Sequence, residues 1–198
     1  MSNRSASTSV PITKAIAERW SPRAFSPEAV SSDDLTAVLE AARWAASCFG
    51  AEPWRFIVGV KGSGSGHANI LESLVPANQS WAASAPVLML SLAQENFERN
   101  GKPNNWAAHD VGLAVGQLGI EASSRGLFLH QMAGFVPDQA SELLSIPEGY
   151  RAMAVIALGH MGKASDLPAE LAEREADPRK RKALGEIAFR DSFGKPFA

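Results

Sequence analysis

The sequence predicts an α/β sandwich built on a small mixed sheet. Helical and extended segments alternate along its 198 residues. Two extended segments, Pro86 to Leu92 and Ala152 to Leu158, are almost continuously apolar, the pattern of strands buried on both faces. The longest helical segment, Trp106 to Arg125, is apolar on most sides, which suits the middle of a fold or a subunit interface.

Each element has a local reason. Residues 1–10 are Ser-rich without an apolar run, so they read as a disordered arm and not a signal peptide. Residues 11–198 then form one domain. Pro11 to Arg19 suits a short helix that Ser21-Pro22 breaks. Ser31 with Asp34 resembles a capping box, and Leu35, Val38, Leu39 and Ala42 follow at helical spacing, predicting a helix from about Asp33 to Ala46.

Trp54 to Val60 reads as a strand, Lys61 to Gly66 as a flexible loop and His67 to Leu74 as a helix. Along Trp106 to Arg125, Val111, Val115, Leu118 and Ala122 share one face, while Leu113 and Ile120 lie elsewhere; Gly126 is placed to stop it. Leu127 to Gln131 reads as a short strand and Pro137 to Leu144 as a helix. A last helix falls near Pro168 to Ala176. The tail from Gly194 has little to pack on internally, as in arms that cross to a partner subunit.

Composition narrows the function. Net charge is -2, so any anion site is a local cluster and not a global field for nucleic acid. No apolar stretch approaches the roughly 20 residues that cross a bilayer. Cys48 is the sole cysteine, which excludes an intrachain disulfide and fits a reducing compartment; a cytoplasmic protein is expected. His67, His109, His130 and His160 are dispersed and form no metal-ligand pattern, so no metal is expected. Cys48 reads as a buried inert thiol, and His109 with Asp110 as a structural pair.

Two basic clusters carry the chemistry. In Arg19-Trp20-Ser21-Pro22-Arg23-Ala24-Phe25, Pro22 favours extended chain, where Arg19, Ser21 and Arg23 share a face. Two guanidinium forks and a hydroxyl suit phosphate, whereas the bland alternative pairs these arginines with Glu18 or Glu28. Pro178-Arg179-Lys180-Arg181-Lys182 alone reads as a solvated face. Together the clusters favour one shared anion site. Lys61-Gly62-Ser63-Gly64-Ser65-Gly66 is not a dinucleotide motif, because the third glycine would fall at His67.

These residues resemble the nitroreductase family. The Arg19 to Phe25 segment is similar to its flavin-phosphate motif. Glu40 to Ser47 and Pro53-Trp54-Arg55-Phe56, Asn78-Gln79-Ser80-Trp81 with Ala85-Pro86-Val87, His109-Asp110-Val111-Gly112 with Gln131-Met132-Ala133-Gly134-Phe135, and Arg179-Lys180-Arg181 match further motifs in order. The likeness spans roughly residues 12 to 197.

The resemblance implies an α+β, three-layer α/β/α fold with a mainly antiparallel sheet and an extended C-terminal arm. It implies a homodimer with flavin mononucleotide (FMN) at its interface. Arg19, Ser21, Arg23, Arg179 and Arg181 would hold the phosphate, with Trp20 contributing mainly backbone. Asn78 would meet the ribityl chain or ring edge, and Gln131, Ala133 and Gly134 the flavin edge. Ser47, Cys48 and Gly50 would come from the partner subunit.

The implied reaction passes a hydride from NADH or NADPH through flavin N5 to a nitroaromatic, quinone or similar acceptor, by a ping-pong scheme. No catalytic side chain is assigned. Gly50 and Glu52 replace the family's Asn and Gln. A dehalogenase, a dehydrogenase and a non-catalytic flavin-binding protein are the alternatives. Glu95 to Asn105 is a candidate lid.

Overall fold

The computed structural model describes residues 4–197. Its elements run α1 (Lys14–Glu18), α2 (Ser32–Arg43), β1 (Trp54–Val60), α3 (Gly66–Glu72), α4 (Pro76–Ala82), β2 (Val87–Gln94), α5 (Ala107–Ser124), β3 (Phe128–Met132), α6 (Pro137–Leu143), β4 (Tyr150–Gly159) and α7 (Ala169–Ala176). The sheet order is β1-β2-β4-β3. Every pairing among the described strands is antiparallel, the limiting case of the mainly antiparallel sheet expected.

The three layers follow from the alternation of side chains along the central strands. Val87 and Met89 of β2, with Ile156 and Leu158 of β4, face one core with Val38 and Ala42 of α2 and Val111, Ala114, Val115 and Leu118 of α5. Leu88, Leu90 and Leu92, with Val155 and Ala157, face the other core with Ile70 of α3, Trp81 of α4 and Ala140 of α6. Buried on both faces, β2 and the second half of β4 are almost continuously apolar, and the buried Ser91 hydroxyl donates to Ala154 O. Each fully buried Leu or Ile there contributes about 1.5–3 kcal/mol of transfer free energy.

Helix ends obey local chemistry where no tertiary contact intervenes. Ser31 caps α2, its hydroxyl oxygen accepting the Asp34 N–H at 3.0 Å. Gly126 takes φ 73° after α5, and the Leu127 N–H donates back to Ala122 O at 2.9 Å. By contrast, α2 stops at Arg43 and not near Ala46, because the chain beyond Trp44 turns toward α5. The unforeseen helix is α4, whose signal was Pro76 at its first position.

One face of α5 stays open. Gly112 and Gly116 are exposed, and Leu113 and Ile120 are 41% and 37% exposed. Beyond α7 the tail carries Leu184, Ile187, Phe193 and Phe197, all exposed. Residues 1–3 of the expected arm lie outside the described residues; Ala6 N–H donates to Ala17 O at 2.8 Å. No helix among the described residues is long and apolar enough to cross a membrane.

Candidate functional site

The break after α1 leads the chain through Arg19 to Phe25 as an extended connection. Three contacts hold its far end. The Gly162 N–H donates to Ala24 O at 2.8 Å, and the Ser26 N–H to His160 O at 2.9 Å. His130, on β3, donates its Nδ1–H to Pro22 O at 2.9 Å. Gly162 is required for this approach, since a Cβ there would lie 2.7 Å from the Phe25 carbonyl carbon. His130 also packs against Trp81, ring centroids 4.7 Å apart, and Trp81 stacks on Phe25. The end of β3 is therefore fastened to the Arg19–Phe25 segment.

The C-terminal basic cluster meets the end of α1, just before this segment. Arg179 Nη1 donates to Ala17 O at 2.8 Å and to Arg4 O at 2.6 Å. Arg19 Nη1 donates to the Ser21 hydroxyl at 3.2 Å. Burial, and then the like charges of Arg179 and Arg181, hold the Arg19 guanidinium below its ordinary pKa. Burial, then Arg181 and Arg4, does the same to Arg179. Separated by some 160 residues of chain, Arg19, Arg179 and Arg181 thus share one electrostatic neighbourhood, and neither Arg19 nor Arg179 forms an ion pair with a carboxylate among the described residues. Like charges at this spacing repel, and an anion relieves the repulsion. This donor set fits a phosphate group.

Arg23 goes elsewhere. Its guanidinium faces Glu175 of α7 at 3.9 Å and is not among the charges that act on Arg19. Neither Glu18 nor Glu28 takes these arginines; Glu18 pairs with Lys14, and Glu28 faces His160. The Trp20 ring is buried under the Arg4 guanidinium, 4.4 Å away. Arg4 lies in an arm that carries no motif, and nothing in the sequence pointed to it.

Asn78 and Gly134 form a second unit. Asn78 Nδ2 donates to Gly134 O at 3.0 Å, and the Val75 N–H donates to the same carbonyl at 3.1 Å. A Cβ at position 134 would lie 2.6 Å from Asn78 Nδ2. Gln131 and Ala133 flank this unit and are exposed.

The Ser47–Glu52 turn is built separately. Buried Asp110 accepts the Cys48 N–H at 2.9 Å, and Ser47 Oγ accepts the Glu52 N–H at 3.1 Å. Phe49, Gly50 and Glu52 all take positive φ, and Phe49 is 76% exposed. Left-handed backbone at a bulky Phe is a strained state typical of functional turns. Arg99 stacks 4.3 Å above Phe49 and 5.3 Å from Phe97, beside a cleft of about 410 Å³. The candidate lid folds back on itself, Phe97 N–H to Lys102 O and Gly101 N–H to Phe97 O. The turn's hydrogen bonds run within itself, to α5 and to Arg55 of β1, which donates to Glu52 O at 2.9 Å.

The histidines have separate tasks. His67 donates Nε2–H to Ala85 O at 2.9 Å, and His109 donates Nδ1–H to Asp110 at 3.0 Å. Burial lowers the pKa of both His67 and His130.

Comparison with known proteins gives a consistent result. Residues 16–74 and 60–160 match the model of the nitroreductase family. A Mycolicibacterium smegmatis relative, described as an uncharacterized 15.4 kDa protein in the ask 5′ region, is 38% identical over 148 residues, covering 72% of this chain and 99% of its own. A solved structure described as the oxidoreductase containing FMN is 33% identical, with TM-score 0.91 and coverage of 98% and 99% of the two chains. The fold is shared with a nitroreductase family protein from Clostridium difficile 630, at 21% identity, TM-score 0.70 and coverage of 92% and 99%. The family match stops before Arg179 and Arg181, whereas the likeness to the structure described as containing FMN covers 98% of this chain.

Proposed function

Because the chain belongs to the nitroreductase family, we propose that it is an FMN-dependent oxidoreductase acting as a homodimer. The observation that carries this reading is Arg19, bonded to Ser21 and sharing one electrostatic neighbourhood with Arg179 and Arg181. A phosphate dianion matches that charge and those planar donors. The likeness to a structure described as containing FMN supports the choice of flavin.

When bound, FMN would supply hydride chemistry at N5, with NADH or NADPH as donor and a nitroaromatic, quinone or similar compound as acceptor in a ping-pong scheme at one site. The protein binds and orients. Arg19, Ser21, Arg179 and Arg181 hold the phosphate, with Trp20 backbone alongside. Arg23, engaged by Glu175, fixes the segment that carries them. Asn78 meets the ribityl chain or ring edge, and Gln131, Ala133 and Gly134 border the flavin edge. No side chain is assigned an acid–base role, since solvent can supply the protons.

Ser47, Cys48 and Gly50 are assigned to the partner's flavin. Exposed apolar groups support the dimer: Leu113 and Ile120 on α5, Trp44 and Trp106 at its flank, and Phe193 on the tail.

The test is direct. Reconstitute with FMN, exclude oxygen and add NADH or NADPH. The visible flavin band bleaches if the protein is a reductase. A flavin that binds but never bleaches with either donor would leave a flavin-binding protein without this activity.

A further inference from the structure

Helix α7 buries one residue, and that residue is a carboxylate: Glu175, 6% exposed. A buried carboxylate is strongly disfavoured unless its oxygens are satisfied. Glu175 Oε1 accepts the Arg23 N–H at 2.8 Å and the Ala24 N–H at 3.3 Å, across 152 residues of sequence. Its other oxygen faces Arg23 Nη1 at 3.9 Å. Four residues on, Arg179 ties the same C-terminal segment to Ala17 O. The stretch that carries Arg19 and Ser21 is therefore tied at both ends to one stretch of chain, Glu175 to Arg179.

We propose that Glu175 is a positioning residue that holds the Arg19–Arg23 segment against the C-terminal arginines, so that the phosphate-binding guanidiniums converge before a ligand arrives. This rests on the FMN reading above. Three like charges drive their segments apart, and Arg19 lies within reach of Arg179 and Arg181. A clamp of charge-assisted backbone hydrogen bonds opposes that separation. Its carboxylate also draws Arg23 away, and both of its oxygens are engaged by Arg23 and Ala24, so it is turned from the anion. Preorganisation of this kind raises affinity by removing an ordering cost.

The experiment compares FMN with riboflavin, which lacks the phosphate, by fluorescence titration of wild-type, Glu175→Ala and Glu175→Gln full-length apoprotein. The clamp predicts an FMN Kd raised about tenfold in Glu175→Ala, with riboflavin affinity unmoved. In Glu175→Gln one oxygen still accepts the two N–H groups but without charge, so the FMN Kd rises about threefold. The isosteric variant carries the test if the alanine variant does not fold. Unchanged FMN affinity, or equal losses for FMN and riboflavin, would overturn the clamp while wild-type binding keeps the functional reading. Wild-type protein that binds no FMN would overturn both.

Discussion

Asp110 accepts the backbone N–H of Cys48 at 2.9 Å with one carboxylate oxygen and the His109 Nδ1–H at 3.0 Å with the other. A side chain in the first turn of α5 thereby anchors a turn that lies 62 residues earlier. Asp110→Ala leaves a donor without its partner and frees a turn held at positive φ. The expected loss is about 1–3 kcal/mol, read as a lower urea midpoint with unchanged slope. Asp110→Asn keeps an acceptor oxygen and loses less. Equal stability of all three proteins would show that the contact does not hold the turn.

Stability should fall as the solution is acidified through neutrality. Burial keeps His67 and His130 below the ordinary value of 6.5. The unfolded chain therefore takes up protons near that pH while the folded chain does not, and the unfolded state gains. The urea midpoint is expected to drop between about pH 7.5 and about pH 5.5. Replacing both residues with Gln, which keeps an N–H for each carbonyl acceptor, flattens the profile. A wild-type midpoint that rises over this range would refute the account of these two groups.

Leu113 and Ile120 stand on the open face of α5. Leu113→Glu with Ile120→Arg places charge in the interface proposed there. Sedimentation should show dimer for the wild type and monomer for the double variant, with FMN affinity falling as the partner's turn is lost. Wild-type protein that sediments as a monomer would remove the dimer.

Gly134→Ala drives a Cβ into Asn78 Nδ2 and close to Val75. Relief requires Asn78 to leave the Gly134 carbonyl. The cost is about 1–3 kcal/mol of stability, measured by urea unfolding. A neutral substitution would mean that the Asn78–Gly134 unit is looser than its geometry.

Local chemistry was readable in the sequence wherever it acts alone. Trp54 to Val60 is a strand at its expected bounds, Ser31 caps α2, and Gly126 ends α5. The proximity of Arg19 to Arg179 and Arg181 was also readable, because the motifs stand in family register. Arg23 was not. Extended chain puts it on the face of Arg19, but a buried carboxylate 152 residues away draws it off. Glu175 and Asp110 looked like ordinary helix charges, since nothing local distinguishes a carboxylate that will be buried against backbone N–H groups. Arg4 had no motif at all; it is placed by Trp20 beneath it and Arg179 beside it.

The central claim is that the Arg19 and Arg181 guanidiniums bind the phosphate of FMN in one site. Titration of apoprotein with FMN, for wild type and for Arg19→Ala with Arg181→Ala, tests it most directly. Two charge-assisted contacts predict a Kd raised about 100-fold in the double variant, with the fold intact by circular dichroism. Equal affinity of the two proteins, or a wild-type protein that cannot be reconstituted with FMN, would contradict the claim.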